Sequence, residues 1–172
     1  MSRRPSFWRD TRANAATEMA LVLPFVLTLL FGGMEAGYFM YSEHKVIEAV
    51  RDGVRFGSRQ NISDICPNTV ANYAATVDRI ALMTRTGQIA STTARPIVPG
   101  WASNGQVSVT IACNSYLSTG IYAALGSPAG PQGPTITVAA TNLTYPSILG
   151  SLGLANLAWP LHGRASTAVI GL

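Results

Sequence analysis

Residues 19–41 read MALVLPFVLTLLFGGMEAGYFMY, and this predominantly apolar stretch decides the architecture of the chain. Glu35 is its only acidic or basic residue. Because a helix needs about 20 mostly apolar residues to cross a bilayer, the stretch is long enough for a membrane span. We therefore expect residues 19–41 to form a transmembrane helix in contact with the lipid bilayer.

The charges before this stretch predict its orientation. The first 13 residues contain four arginines and one aspartate, whereas the whole chain of 172 residues has a formal charge of +4. The arginines are Arg3, Arg4, Arg9 and Arg12. Since basic residues beside a membrane span stay in the cytoplasm, the remainder of the chain is expected outside it. The basicity belongs to the N-terminus, and we predict no nucleic-acid partner.

The apolar pattern continues beyond the span with charged residues between its members. Apolar side chains recur at helical spacings of three and four, at Phe39, Val46, Ile47, Val50 and Val54. This pattern predicts that one helix leaves the membrane as an amphipathic stalk, so that residues 14–60 form a single segment. The alternative is a secretory signal peptide that is cut near residues 35–37, although such a peptide would not carry the helical pattern further.

Residues 61–172 are expected to form a small extracytoplasmic domain. Residues 61–68 are polar and break the helix, and Thr69–Arg85 is predicted to form a second helix that ends at Gly87. The apolar face of this second helix is expected to consist of Val70, Tyr73, Ala74, Val77, Ile80 and Ala81, with Thr84 as a further candidate.

Three later segments alternate apolar and polar residues with the period of a strand. These segments are Gln106–Cys113, Thr135–Tyr145 and Leu161–Ile170. Ser127–Pro134 is predicted to be a turn-rich loop, and Leu143–Pro160 a short helix or an apolar loop. The predicted fold class is α+β, with a short antiparallel sheet packed on the stalk and the second helix.

The two cysteines, Cys66 and Cys113, lie beyond the span and form no CxxC motif. In an oxidising compartment such a pair commonly forms a disulfide, which would stabilise the fold by about 4 kcal/mol in the chain-entropy model. Two unrelated buried thiols are the alternative. No metal site is predicted, because the cysteines have no histidine pair nearby.

The histidines give little support for catalysis. His44 and His162 are the only two, and no hydrolase, metalloprotease or nucleotide-binding motif accompanies either. We expect no enzyme and no cofactor. A periplasmic hydrolase that uses His162 is retained as a remote alternative.

Glu18 lies directly before the apolar stretch, where a carboxylate is costly unless it is paired or hydrated. Its simplest role is that of an acid in the first turn, which interacts favourably with the positive end of the helix dipole. In that interpretation the helix is only an anchor.

Residues 9–59 resemble the N-terminal segment of the TadE/TadG-like proteins, which are minor pilins (pseudopilins) of bacterial Tad, or tight-adherence, pilus systems. The resemblance rests on three motifs in combination: ALVLP at residues 20–24, the pair Glu35 and Ala36, and a later EA.R.G.R pattern. In the last pattern the residues are Glu48, Ala49, Arg51, Gly53 and Arg55.

The resemblance implies a cleavable basic leader and a glutamate at the fifth position of the mature chain. If Glu18 is that glutamate, Asn14 becomes the first mature residue and residues 1–13 the leader. Ala13 then precedes the cut, where the family usually has glycine. The family also implies that Glu18 neutralises the new terminal ammonium of a neighbouring subunit during assembly.

Two further residues of the span are candidates for assembly. Pro24 lacks an amide donor and is expected to kink or open the helix locally. Glu35 is either a second buried polar contact or a residue near the outer headgroups.

The expected function is that of a minor pilin of a Tad pilus, a relative of the type IV pilus, needed for pilus assembly or adhesion. Its partners would be a prepilin peptidase, other minor pilins, the major pilin and inner-membrane platform proteins. The expected location is the inner membrane, with the N-terminus cytoplasmic and the C-terminal domain periplasmic or extracellular. The alternative is an unprocessed, membrane-anchored structural or adhesive protein.

Overall fold

The computed structural model describes residues 11–90, 93–117, 132–154 and 158–171. Most of the expected leader and the loop residues 127–131 therefore lie outside the described residues. In chain order the elements are helix α1 (Thr11–Ser58), helix α2 (Ile62–Ile65), helix α3 (Tyr73–Thr86), a 3-10 turn (Asn104–Gln106), strand β1 (Val107–Leu117), strand β2 (Gln132–Thr144), helix α4 (Ile148–Ser151) and strand β3 (Pro160–Ala168).

The chain divides into two compact units, and the boundary between Tyr38 and Phe39 lies within α1. In the first unit all described residues belong to α1, which continues through Pro24. The prediction of one helix that contains both the apolar stretch and the stalk is confirmed.

The second unit contains a three-stranded antiparallel sheet with β2 in the centre. Ile111 of β1 lies opposite Ile136 of β2, and both side chains are buried. The register shifts between Ala140 and Leu143, so both of these side chains remain buried although they are three residues apart. All three predicted strands are present, and their antiparallel pairing is confirmed.

The stalk supplies the other side of the core. Val46, Ala49, Val50 and Val54 are at most 4 % exposed, because they line one face of α1. Strand β3 approaches this face closely at Gly163, where an added Cβ would lie 3.0 Å from Cγ1 of Val46. The small residue thus allows the sheet to pack on the stalk, as predicted.

Helix α3 begins at Tyr73, four residues later than predicted, and ends before Gly87. Gly87 adopts a left-handed conformation with φ of 73°, and its amide donates to the carbonyl of Met83. This geometry explains why glycine occupies the position after the helix.

The buried surface of α3 differs in part from the predicted face. Ile80 and Ala81 are buried as expected, but Ala74 is exposed, whereas Leu82 is buried. In the last turn the consecutive residues Thr84, Arg85 and Thr86 are all buried, and the amide of Ile97 donates to the carbonyl of Arg85 at 2.9 Å. A periodic pattern predicts a single face and therefore missed this second covering segment.

Cys66 and Cys113 form a disulfide, with a Cα–Cα distance of 5.7 Å. The bond links the segment after α2 to β1. The predicted pairing is therefore present, rather than two separate thiols.

Residues 170 and 171 contact the C-terminal end of helix α1. The amides of Ile170 and Gly171 donate to the carbonyl of Ser58 at 2.8 and 3.2 Å. These bonds satisfy a carbonyl that the end of a helix leaves without an intrahelical partner. Gly171 also pairs with Asn61, and any Cβ at position 171 would overlap the carbonyl of Gln60.

Candidate functional site

The apolar part of α1 presents a largely uncovered surface in the first unit. Leu21, Phe25 and Leu29 are each more than 70 % exposed. Among the described residues one helix, Ala15–Ser58, is long and apolar enough to cross a membrane. A lipid environment would remove this apolar surface from water, which is the reason that such helices insert.

Glu18 is exposed and lies at the start of this uncovered surface. Ala13 and Asn14 are within α1, in the two turns that precede Glu18. Because residues four apart lie on the same face of a helix, position 14 and Glu18 share a face one turn apart. The structure thus keeps the glutamate accessible beside the position of the expected mature terminus.

Pro24 lies in the interior of α1. Its missing N–H leaves the carbonyl one turn earlier, at residue 20, without its usual helical donor. The hydroxyl of Thr28 donates to the carbonyl of Pro24 at 2.7 Å. The helix therefore has a local perturbation of its hydrogen bonding next to an exposed apolar surface.

Glu35 differs from Glu18 in its burial. It is only 3 % exposed, although the adjacent Met34 is 47 % exposed. The sequence left two interpretations of Glu35 open, a buried polar contact or a residue near the outer headgroups, and its low exposure agrees with the first.

The small residues of the EA.R.G.R pattern lie on the buried face of the stalk, and its charged residues lie on the exposed face. Ala49 and Gly53 are buried, and a Cβ at Gly53 would overlap the hydroxyl of Thr84 on α3. The charged members of the pattern face outward: Glu48 pairs with His44 at 3.2 Å, and Arg55 with Asp52 at 3.5 Å. Exposed pairs of this kind contribute little stability, so the packing of the small residues is the main structural role of the pattern.

The described residues contain no group of three or more His, Cys, Asp and Glu side chains placed to hold a metal. His162 is an exposed residue of β3, and His44 is exposed beside Glu48. Among the hydrogen bonds and ion pairs of the described residues, neither histidine has a nucleophilic side chain as its partner. The acid that pairs with His44 is Glu48.

The long exposed helix, the antiparallel sheet and the disulfide define the class of protein: an α+β protein with one candidate membrane span. Residues 14–55 match the model of the family described as TadE-like protein. The match spans the apolar part of α1 and most of the stalk, and the resemblance expected from the sequence is confirmed over this segment. No curated protein and no solved structure matches the chain.

The family similarity indicates a protein associated with the Tad pilus and implies a structural rather than an enzymatic role. Together with the candidate span that the described residues contain near the N-terminus, it fits a membrane-anchored protein.

Proposed function

We propose that this protein is a minor pilin of a Tad pilus that is processed by a prepilin peptidase and then enters a pilus or pseudopilus. The observation that supports this most strongly is the position of Glu18. It is exposed at the start of an uncovered apolar helix, within the segment that matches the TadE-like family.

Processing is the first step of the proposed mechanism. The peptidase cuts between Ala13 and Asn14, which removes the arginine-rich leader and frees an amino group at Asn14. The apolar helix remains on the mature chain as the element that packs in the assembly. A signal peptidase would instead remove most of this helix.

Glu18 and the new ammonium group then provide the assembly signal. A lone charge in lipid is costly, whereas two opposite charges buried together cost much less. A subunit is therefore favoured in the register in which its Glu18 meets the Asn14 ammonium of a neighbour. The helix surface around Pro24 lies in the same contact region, and Glu35 contributes to the packing of the chain itself.

Platform proteins of the inner membrane, other minor pilins and the major pilin are the partners in this scheme. The C-terminal unit faces the periplasm or the cell exterior.

N-terminal sequencing tests the processing step. Membrane-purified protein from cells with the peptidase should begin at Asn14, and protein from cells without it should begin at Met1. The variant Ala13→Gly restores the family's usual residue and should be cut at the same bond. The variant Ala13→Leu, with a larger side chain, should accumulate uncut.

An intact Met1 terminus in peptidase-positive cells would overturn the processing mechanism and support the unprocessed, membrane-anchored structural or adhesive protein. A terminus near residue 37 would instead support a signal peptide.

A further inference from the structure

The connection between β2 and β3 carries exposed apolar side chains in the second unit. Leu152, Leu154 and Trp159 are 62, 70 and 47 % exposed. Single exposed leucines are common on protein surfaces, but a group of them on one connection marks a surface that contacts something apolar.

The ends of this connection lie beside Phe39, near the C-terminal end of the apolar stretch. The ring of Phe39 lies 5.3 Å from the ring of Tyr145 and 5.4 Å from that of Trp159, with edge-to-face geometry in both pairs. The amide of Tyr145 donates to the carbonyl of Trp159 at 2.8 Å, which closes the connection at its base. The connection that carries the exposed leucines therefore begins and ends next to Phe39.

Phe39 has a defined depth if α1 spans a membrane. From Met19 to Phe39 the helix rises by about 30 Å, which equals the thickness of the hydrocarbon core. Phe39 then lies at the outer boundary of the hydrocarbon. The adjacent Met40 and Tyr41 are 70 and 57 % exposed and lie at nearly the same depth along α1.

The residues after Phe39 have the chemistry of a membrane interface. The Lys45 ammonium lies 5.6 Å from the centre of the Tyr41 ring. Tyrosine and tryptophan are enriched at headgroup level, and a lysine beside them reaches the phosphates with its charged end.

The connection can enter this layer without burying a charge. No Asp, Glu, Lys or Arg occurs between Pro96 and Gly163. The large desolvation penalty of an ionised side chain is thus absent from the connection and from β2, and the first such residue after it is Arg164 of β3.

We propose that Met40, Tyr41, Leu152, Leu154 and Trp159 form an interfacial patch that lies in the boundary between phospholipid headgroups and acyl chains. The inference rests on the proposed membrane span of α1 and adds a second contact with the same bilayer. Such elements sit about 5–10 Å into the interface. The patch holds the second unit against the bilayer before assembly, and a subunit leaves this lipid contact when it is extracted into a pilus.

A fluorescent label at position 154 tests the proposal on the full chain in liposomes. Leu154→Cys provides the label site, and the native cysteines are already paired in a disulfide. Ile170→Cys is the matched control, because Ile170 is similarly exposed at 59 %. Its amide bonds to Ser58, which lies about 28 Å beyond Phe39 along α1. A third label, at Leu27→Cys, reports the span itself.

The probe is an environment-sensitive nitrobenzoxadiazole dye, in liposomes of zwitterionic phospholipid with brominated acyl chains. We expect a blue-shifted emission and strong quenching at positions 154 and 27, and little of either at position 170. The intrinsic fluorescence of Trp159 gives a second measurement in a Trp8→Phe background, since Trp101 is fully buried. Brominated lipid should quench it, and the further change Trp159→Phe should abolish the quenching.

Quenching at position 27 but not at 154 would overturn the interfacial patch and leave the membrane span intact. A blue shift at 154 that brominated lipid does not quench would assign the patch to a protein partner, which also overturns the proposal. Absence of quenching at both positions would refute the span itself and, with it, the patch.

Discussion

Glu18 and Glu35 belong to the same helix, but their surroundings are opposite. Glu18 is exposed, so its carboxylate is available to a group on another chain. Glu35, by contrast, is only 3 % exposed. The sequence placed both residues correctly on the helix, but spacing alone does not determine which side chain is covered.

The variant Glu18→Ala should insert and be cleaved normally but should fail to join assemblies. Removing one partner of a buried ion pair costs about 3–5 kcal/mol, so co-purification with other pilus subunits should fall by at least about tenfold. Glu48→Ala is the matched control, because Glu48 is an exposed glutamate of the same helix whose pair with His44 contributes little. Equal co-purification of the two variants would contradict the role of Glu18.

At the scale of elements, the second half of α1 forms its contacts through small residues. Gly53 faces Thr84 of α3, and Gly57 faces Ile136 of β2, with no room for a Cβ at either position. The EA.R.G.R pattern lies in the segment that matches the TadE-like family, and in this structure it also reflects the close packing of the stalk on its neighbours. The sequence itself indicates this close packing, because Gly53 and Gly57 are four residues apart and therefore lie on one helix face.

The variant Gly53→Ala should destabilise the protein by about 1–3 kcal/mol, because the new methyl group overpacks the contact with Thr84. Helix propensity alone would stabilise this change by about 1 kcal/mol, so the sign of the effect distinguishes the two causes. The measurement is the thermal midpoint of the full chain in detergent, followed by near-UV circular dichroism.

Gly37→Ala, in the same helix, serves as the control, since nothing lies within 4 Å of a Cβ at that position. Adding Thr84→Ala to Gly53→Ala should recover part of the lost stability, whereas purely additive effects would exclude a direct clash.

Strong periodicity explains how much of the fold the sequence predicted. The three strands alternate with period two, and their predicted and observed ranges overlap in every case. The start of α3 was predicted too early, because Val70 fits a helical pattern although it lies in a turn. The four-residue α4 lies within Leu143–Pro160, where the sequence left a helix and a loop open.

At the scale of the whole molecule, formal charge is divided unequally along the chain. Arg164 is the only Asp, Glu, Lys or Arg beyond residue 95, whereas the first 13 residues carry four arginines. This arrangement favours a cytoplasmic N-terminus, because arginines beside a span resist translocation. The sequence shows this asymmetry and predicted that the sheet packs on the stalk, but it did not predict which residues meet there, such as Gly163 of β3 and Val46 of α1.

The orientation predicts opposite labelling of two introduced thiols. Ile170→Cys should react with a membrane-impermeant maleimide when only the outer membrane has been permeabilised. Ser6→Cys, in the leader, should react only after lysis of peptidase-deficient cells, where the leader is retained. Reaction of the two thiols under the same condition would contradict the predicted topology.

Strand β3 packs on α1, although β3 is synthesised long after α1. Val46 and Val50 emerge early from the ribosome, but the glycine that packs on them is residue 163 and the amide that closes on Ser58 belongs to residue 170. Contacts of such sequence separation form late. The part of the stalk around Val46 and Val50 therefore lacks this cover until β3 has been synthesised. A chain truncated before β3 would keep Val46 and Val50 exposed, so chaperones and proteases that recognise apolar surface could distinguish it from a chain in which β3 has packed on α1.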